Sequence, residues 1–270
     1  MGGTLGVIGG TLSGASSAAP YATVSVGQNV TVTANSTAHT KGSWTQIIAS
    51  TAEAATLLVV TVSGVASAGV NTATLLDIAV GGAGSESAIV SNIPIGGAVG
   101  GLGAGYTIPL PVAVASGARI SARIQSVVTG GKTATVSIAA VKGGPITPPA
   151  SLTVIGASTG TSAGTNAGTA WTEITASTAA AYRYLVIVPS LASDTVSSAS
   201  TAIQLGSGAA SSEVEFGSLV VTTTTSEQIH ASTGYPAWHQ TAIKTGVAAG
   251  TRLVVKRATA ACDVALIGVA

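Results

Sequence analysis

The sequence predicts an all-β chain made of two tandem antiparallel β-sandwich domains, jelly-roll-like, related by an internal repeat of about 127 residues. Three observations predict it. Residues 44–52 read WTQIIASTA and residues 171–179 read WTEITASTA, identical at seven of nine positions and offset by 171 − 44 = 127 residues. A match at a fixed long period signals a repeated structural unit. Strand-like runs recur roughly every 8 to 12 residues with Gly, Ser or Asn between them, the spacing of a sandwich. Helical periodicity is absent; the best candidate, residues 50–56, is one turn at most.

Taken in order, residues 1–21 read as a flexible N-terminal arm. The first 20 are rich in Gly, Ser and Ala and carry no charge, so they have little to bury against the cost of ordering. The first module spans residues 22–141. It opens with TVSV and NVTVT around Gly27 and Gln28, which reads as a strand pair joined by a tight turn. From Trp44 the two copies run without a gap for more than forty residues, pairing Leu58 with Leu185 and Glu86 with Glu213. The block GARISARI at 117–124 then matches GTRLVVKR at 250–257 with an offset of 133, so the preceding loop is 133 − 127 = 6 residues longer in the second copy. Within that block Arg119, Ser121, Arg123 and Gln125 share one face of a strand, and Ile120, Ala122 and Ile124 share the other. Residues 142–149, KGGPITPP, form a Pro/Gly linker of semi-rigid type, and the second module spans 150–270.

Charged residues make up 7% of the chain against about 25% in typical soluble proteins, and ten Lys/Arg against nine Asp/Glu leave a net charge of +1. That balance argues against a nucleic-acid groove or a polybasic membrane patch. It suits a subunit that is packed into an assembly. The single cysteine, Cys262, permits no internal disulfide and reads as a small buried apolar residue. Residues 1–5 lack the basic and apolar regions of a secretory leader, so none is expected there. The uncharged windows 54–76 and 87–118 are crowded with β-branched residues, glycines and prolines, and read as β structure, with no membrane span expected.

Few residues invite a chemical reading. Trp44 and Trp171 could be ligand platforms; anchoring a core or a sheet edge is the favoured reading. Glu86 and Glu213 keep register with Arg119 and Arg252, as an ion pair within each module or as contacts between modules or subunits. Glu215 has no counterpart in the first copy, which leaves no acid pair for hydrolysis. The stretch TGYPAWHQ at 233–240 gathers Tyr235, Trp238 and His239, groups that can hold a sugar or a partner's side chain, or pack on their own domain. His39, His230 and His239 lack the spacing of zinc ligands, so no metal is expected. The glycine run at 100–105 lacks the strand–helix setting of a nucleotide loop. No catalytic residue, cofactor or enzymatic activity is expected.

The paired pattern WTxIxASTA, then SE, then GxR followed by Ile or Leu, set in Ala/Gly/Thr/Val-rich chain, resembles minor virion proteins of tailed bacteriophages. These are tandem β-sandwich subunits that decorate heads or build collars, tails and fibres. The resemblance covers residues 22–141 and 150–270. It implies a non-enzymatic structural subunit in the virion, packed against itself as a trimer or larger homo-oligomer and against other virion proteins. From the charge balance, no nucleic acid partner is expected. The alternative is a receptor- or glycan-binding fibre module that meets a host-surface glycan through residues 233–240.

Overall fold

A computed structural model describes residues 21–64, 74–95, 106–126, 129–143, 151–157, 165–191, 199–224, 227–231, 242–258 and 262–270. All regular structure among them is β. The first half holds β1 (Ala22–Thr33), β2 (Thr45–Ile48), β3 (Ala55–Ser63), β4 (Thr74–Val80), β5 (Ser87–Pro94), β6 (Tyr106–Val114), β7 (Ile120–Ser126) and β8 (Thr133–Lys142). They pair antiparallel into two sheets of order β1-β8-β3-β6 and β2-β7-β4-β5. The chain changes sheet at every connection except β4 to β5, which is the strand order of a jelly roll.

Alternation in the sequence decides which side chains face inward. In β3 every second residue, Leu58, Val60 and Val62, is fully buried; in β8 so are Val136, Ile138 and Ala140. Leu76 and Ile78 of β4 and Ile120, Ala122 and Ile124 of β7 join them in one core cluster between the sheets. Two of the prolines of the uncharged 87–118 window stand in β6, where Pro109 is opposite Val59 and Pro111 opposite Leu57. A proline cannot donate to a ladder and is tolerated there because β6 is an edge strand.

The second half holds β9 (Leu152–Ile155), β10 (Thr165–Asn166), β11 (Thr172–Thr175), β12 (Tyr182–Leu191), β13 (Ala199–Ser207), β14 (Val214–Thr224), β15 (Glu227–Ala231), β16 (Ala242–Val247), β17 (Leu253–Arg257) and β18 (Cys262–Val269). One sheet has the order β10-β18-β12-β16, with β9 also on β18, and the other β11-β17-β13-β14-β15. β9 and β10 together take the place that β1 holds in the first half. β15 is an added edge strand, in the connection where the second copy is longer. Leu185, Ile187, Ile203, Leu205, Leu253, Val255, Val264 and Leu266 build the second core.

One expectation fails. Residues 23–33 are a single strand, not a hairpin: β1 pairs with β8 along its length, with a register shift between Gly27 and Val30. The glycine marks a crossing rather than a turn. A Cβ on Gly27 would lie 2.0 Å from the Ile47 carbonyl oxygen, so only glycine lets β1 pass that backbone. Asn29, at φ 53°, takes up the irregularity, and its N–H donates to Ser137 Oγ at 2.9 Å. In the second half Gly156, at φ 92°, comes close to the matching Ile174, there against its side chain, which a Cβ would meet at 2.8 Å.

Leu152, Val186, Ile267 and Val269, although in the second half, belong to the first core's cluster of buried residues. Beside them a cleft of about 590 Å³ opens between the halves, walled by Leu57, Val59 and Pro111 on one side and Tyr184, Val186 and Ile267 on the other. Gly27→Ala should lower stability by roughly 1–3 kcal/mol, the cost of overpacking a well-packed site. Urea denaturation measures it, and an unchanged midpoint would contradict the crossing at Ile47.

Candidate functional site

The polar residues that the two halves share converge on one strand. β2 is an edge strand of four residues paired only with β7, and the repeated stretch 44–52 is what fastens it there. At its start the Trp44 ring carries the Arg123 guanidinium 4.2 Å from its centroid; in the second half Lys256 lies 4.3 Å from the Trp171 centroid. A cation over an indole face is attracted by the ring quadrupole, and its aliphatic stem is shielded at the same time. The rim of Trp171 also lies on Gly206 of β13, where a Cβ would meet it at 2.9 Å. Both tryptophans therefore lie against the outer face of a sheet.

Two residues further on, Gln46 Oε1 accepts from Arg119 Nε at 3.0 Å, and Arg119 Nη1 donates to Glu86 Oε1 at 2.7 Å and to the Gly81 carbonyl at 3.4 Å. The second half repeats the arrangement. Arg252 Nε donates to Glu173 at 2.8 Å, and its Nη1 donates to Glu213 at 3.1 Å and to the Gly208 carbonyl at 2.9 Å. Of the two readings open for these residues, the ion pair lies within each half. The Arg119 hydrogen bond holds the Glu86 carboxyl below the usual glutamate range. The Glu213 carboxyl is lowered first by its own backbone N–H and then by Arg252. Glu173 and Glu213 together raise Arg252.

At the end of the stretch, Thr51 Oγ1 donates to the Ala115 carbonyl at 2.6 Å and accepts from Ala118 N–H at 3.0 Å, clamping the turn from β6 into β7. Thr178 does the same between the Ala248 carbonyl at 2.8 Å and Thr251 N–H at 3.0 Å. Sequence reasoning passed over both threonines. The signal was their place in the ASTA ending shared by both copies.

Beyond this shared frame the halves differ. On the outer face of the first, Asp77 of β4 is fully buried. Its Oδ1 accepts from Lys41 Nζ at 2.7 Å and from Asn92 N–H at 2.8 Å, and its Oδ2 accepts from Arg123 Nε at 2.9 Å. Lys41 Nζ also donates to Asn92 Oδ1 at 2.6 Å. Burial draws the Lys41 ammonium below the ordinary lysine value, against the pull of Asp77. Lys41, Asp77 and Asn92 were also missed. The signal lay in β4 itself, TLLDIAV, where one acid in an apolar strand demands partners. The position matching Asp77 is Gln204, whose Nε2 donates to Glu215 at 2.6 Å.

Tyr235, Trp238 and His239 lie outside the described residues. His39 is described: its N–H donates to the Ser126 carbonyl at 2.8 Å beside β7, and its Nδ1 is buried without a hydrogen-bond partner. Among the described residues no group of three His, Cys, Asp or Glu side chains could hold a metal ion, and no helix is long and apolar enough to cross a membrane. No protein-family model matches the chain, and neither a curated protein nor a solved structure matches it.

Thr51→Val should cost about 1–3 kcal/mol in chemical denaturation, because it strips one hydroxyl from two backbone groups at once. Acid should destabilise the fold through Glu86 and Glu213. Their folded pKa values are depressed, so their contribution is complete above the ordinary value of about 4.3 and is lost as pH falls through the folded values. A Glu86→Gln, Glu213→Gln double variant should therefore show a flatter fall in melting temperature below about pH 4.3 than the parent chain.

Proposed function

We propose that the chain is a non-enzymatic structural subunit of a tailed-phage virion, which decorates or connects head, collar or tail through oligomeric packing of its two sandwiches. The observation that carries this reading is the use made of the shared polar residues. Trp, Arg, Glu and Thr of each copy are committed to fastening one strand to its own sheet, and the described ones leave no arranged acid, base or nucleophile aimed at a substrate. Jelly rolls are a common architecture of viral capsid domains, and also of lectins. With a net charge of +1, the free chain has little electrostatic protection in solution, which favours permanent packing. Tyr21 and Val26 near the start of β1, and Val214 on β14, are large apolar side chains at least half exposed, suited to meeting another subunit.

Light scattering coupled to size exclusion at two concentrations tests the proposal. A defined trimer or larger assembly is expected at both. A stable monomer that binds a glycan array, and loses binding on Trp238→Ala, would overturn it in favour of a receptor-binding fibre module.

A further inference from the structure

The cluster on the outer face of the first half holds more than an ion pair. A lysine amine lies within hydrogen-bond distance of both a side-chain amide oxygen and a fully buried carboxylate, and the backbone N–H of the amide's own residue is bonded to that carboxylate. Lys41 lies directly before Gly42, whose N–H donates to the Ile124 carbonyl at 2.9 Å and so ties this segment to β7. Asp77 is at the centre of β4, opposite Arg123.

Asn92 is the unusual member. Leu76 pairs with Ile93 and Ile78 with Val90, so Asp77 alone faces both Ser91 and Asn92, and the extra residue forms a bulge. Asn92 sits there at φ 63°, in the left-handed region that costs a non-glycine residue energy. The bulge turns its N–H away from the ladder onto Asp77 Oδ1 and brings its side-chain amide onto Lys41 Nζ. Bulges of this kind re-aim side chains beside reactive sites. In the second half Ile203, Gln204 and Leu205 pair in unbroken register with Leu219, Ser218 and Gly217, with no extra residue at that place. The positions matching Lys41 and Asp77 are Gly168 and Gln204. The bulge and the two polar partners therefore occur together in one half and are absent together from the other.

We propose that Lys41 and Asn92 form an intramolecular isopeptide bond, with Asp77 carrying the proton. The Lys41 ammonium passes a proton to Asp77 Oδ1, which it already contacts, and the freed amine attacks Cγ of Asn92. That carbon is bonded to the oxygen now 2.6 Å from Nζ. The new N–C bond forms as the C–Nδ2 bond breaks. Asp77 returns its proton to the departing nitrogen, and a proton from the attacking nitrogen follows. Lys–NH3⁺ and Asn–CONH2 become Lys–NH–CO–Asn and NH4⁺, with no oxidant, metal or cofactor required. Burial favours the neutral amine that the attack needs. Charge favours the outcome as well. Two cations, Lys41 and Arg123, face one buried carboxylate, and the reaction exports the surplus charge as ammonium, leaving Arg123 and Asp77 as a matched pair. Arg123, held under Trp44, is a positioning residue for the carboxylate.

Intact mass of the full chain under denaturing conditions tests this, followed by digestion with trypsin and a glutamate-specific protease. The expected mass is lower than the sequence mass by one ammonia, Lys41 resists trypsin, and one branched peptide joins residues 1–53 to residues 87–119. A chain of full sequence mass that trypsin cleaves after Lys41 overturns the proposal. So does a loss of ammonia without the branched peptide, which marks a cyclic imide at asparagine instead. In Asp77→Asn, still folded by circular dichroism, the linked fraction after equal incubation should fall roughly a hundredfold, the order expected for losing a positioned proton carrier. An unchanged linked fraction in that variant would remove Asp77 from the reaction.

Discussion

Strand β7 is held from three directions, and the shape of the first sandwich depends on that hold. Its inward residues, Ile120, Ala122 and Ile124, fill the core, while its outward face would be a row of polar groups open to water. Instead Ser121 and Gln125 are buried along with Asp77 and Ala79 of the neighbouring strand. On that face Arg123 stacks on the Trp44 indole, and Arg123 and Lys41 both close on Asp77, so the polar side of the sheet is also packed. A four-residue edge strand such as β2 has too few ladder bonds to stay in place alone. The tryptophan, the glutamine or glutamate and the threonine of its repeated stretch each reach β7, its flank or the turn before it. β17 is held by the same side-chain logic in the second half.

The parts of this arrangement that were legible in the sequence are those with a period. Alternation in ISARIQS placed the core face of β7 correctly, because a two-residue period leaves one arrangement of inside and outside. The 127-residue offset paired Glu86 with Glu213, and the 133-residue offset of the later block paired Arg119 with Arg252. Gly27 was misread because a glycine between two alternating runs signals a turn and a bulge equally well. What decides between them is Ile47, a neighbour twenty residues away. The Lys41, Asp77 and Asn92 cluster was invisible for a related reason: its members are spread over fifty residues and meet only through a bulge that no local pattern announces.

The two halves show how much of a sandwich can be rewritten while its strand order stays fixed. Gln204 stands for Asp77, Lys256 for Arg123 and Glu173 for Gln46, yet Trp171 and Arg252 keep their partners. On the outer face a changed residue finds a new partner across the surface, whereas fully buried positions change volume but stay apolar, Val60 standing opposite Ile187 in the alignment and Ala122 opposite Val255.

The edges of the sheets bear on what a weakly charged chain of this kind can pair with. An open strand edge is a template for another chain, and charge is the usual deterrent. Among the described strands the deterrents are geometric. β6 carries Pro109 and Pro111, β5 ends at Pro94, β1 is broken by register shifts, and β2, β9, β10, β11 and β15 have five residues or fewer. Growth by adding strand to strand into a continuous ribbon is thereby blocked at nearly every exit. In the assembly proposed above, contact would fall to the faces and loops, where shape complementarity can select a partner and covering the matching surfaces ends growth.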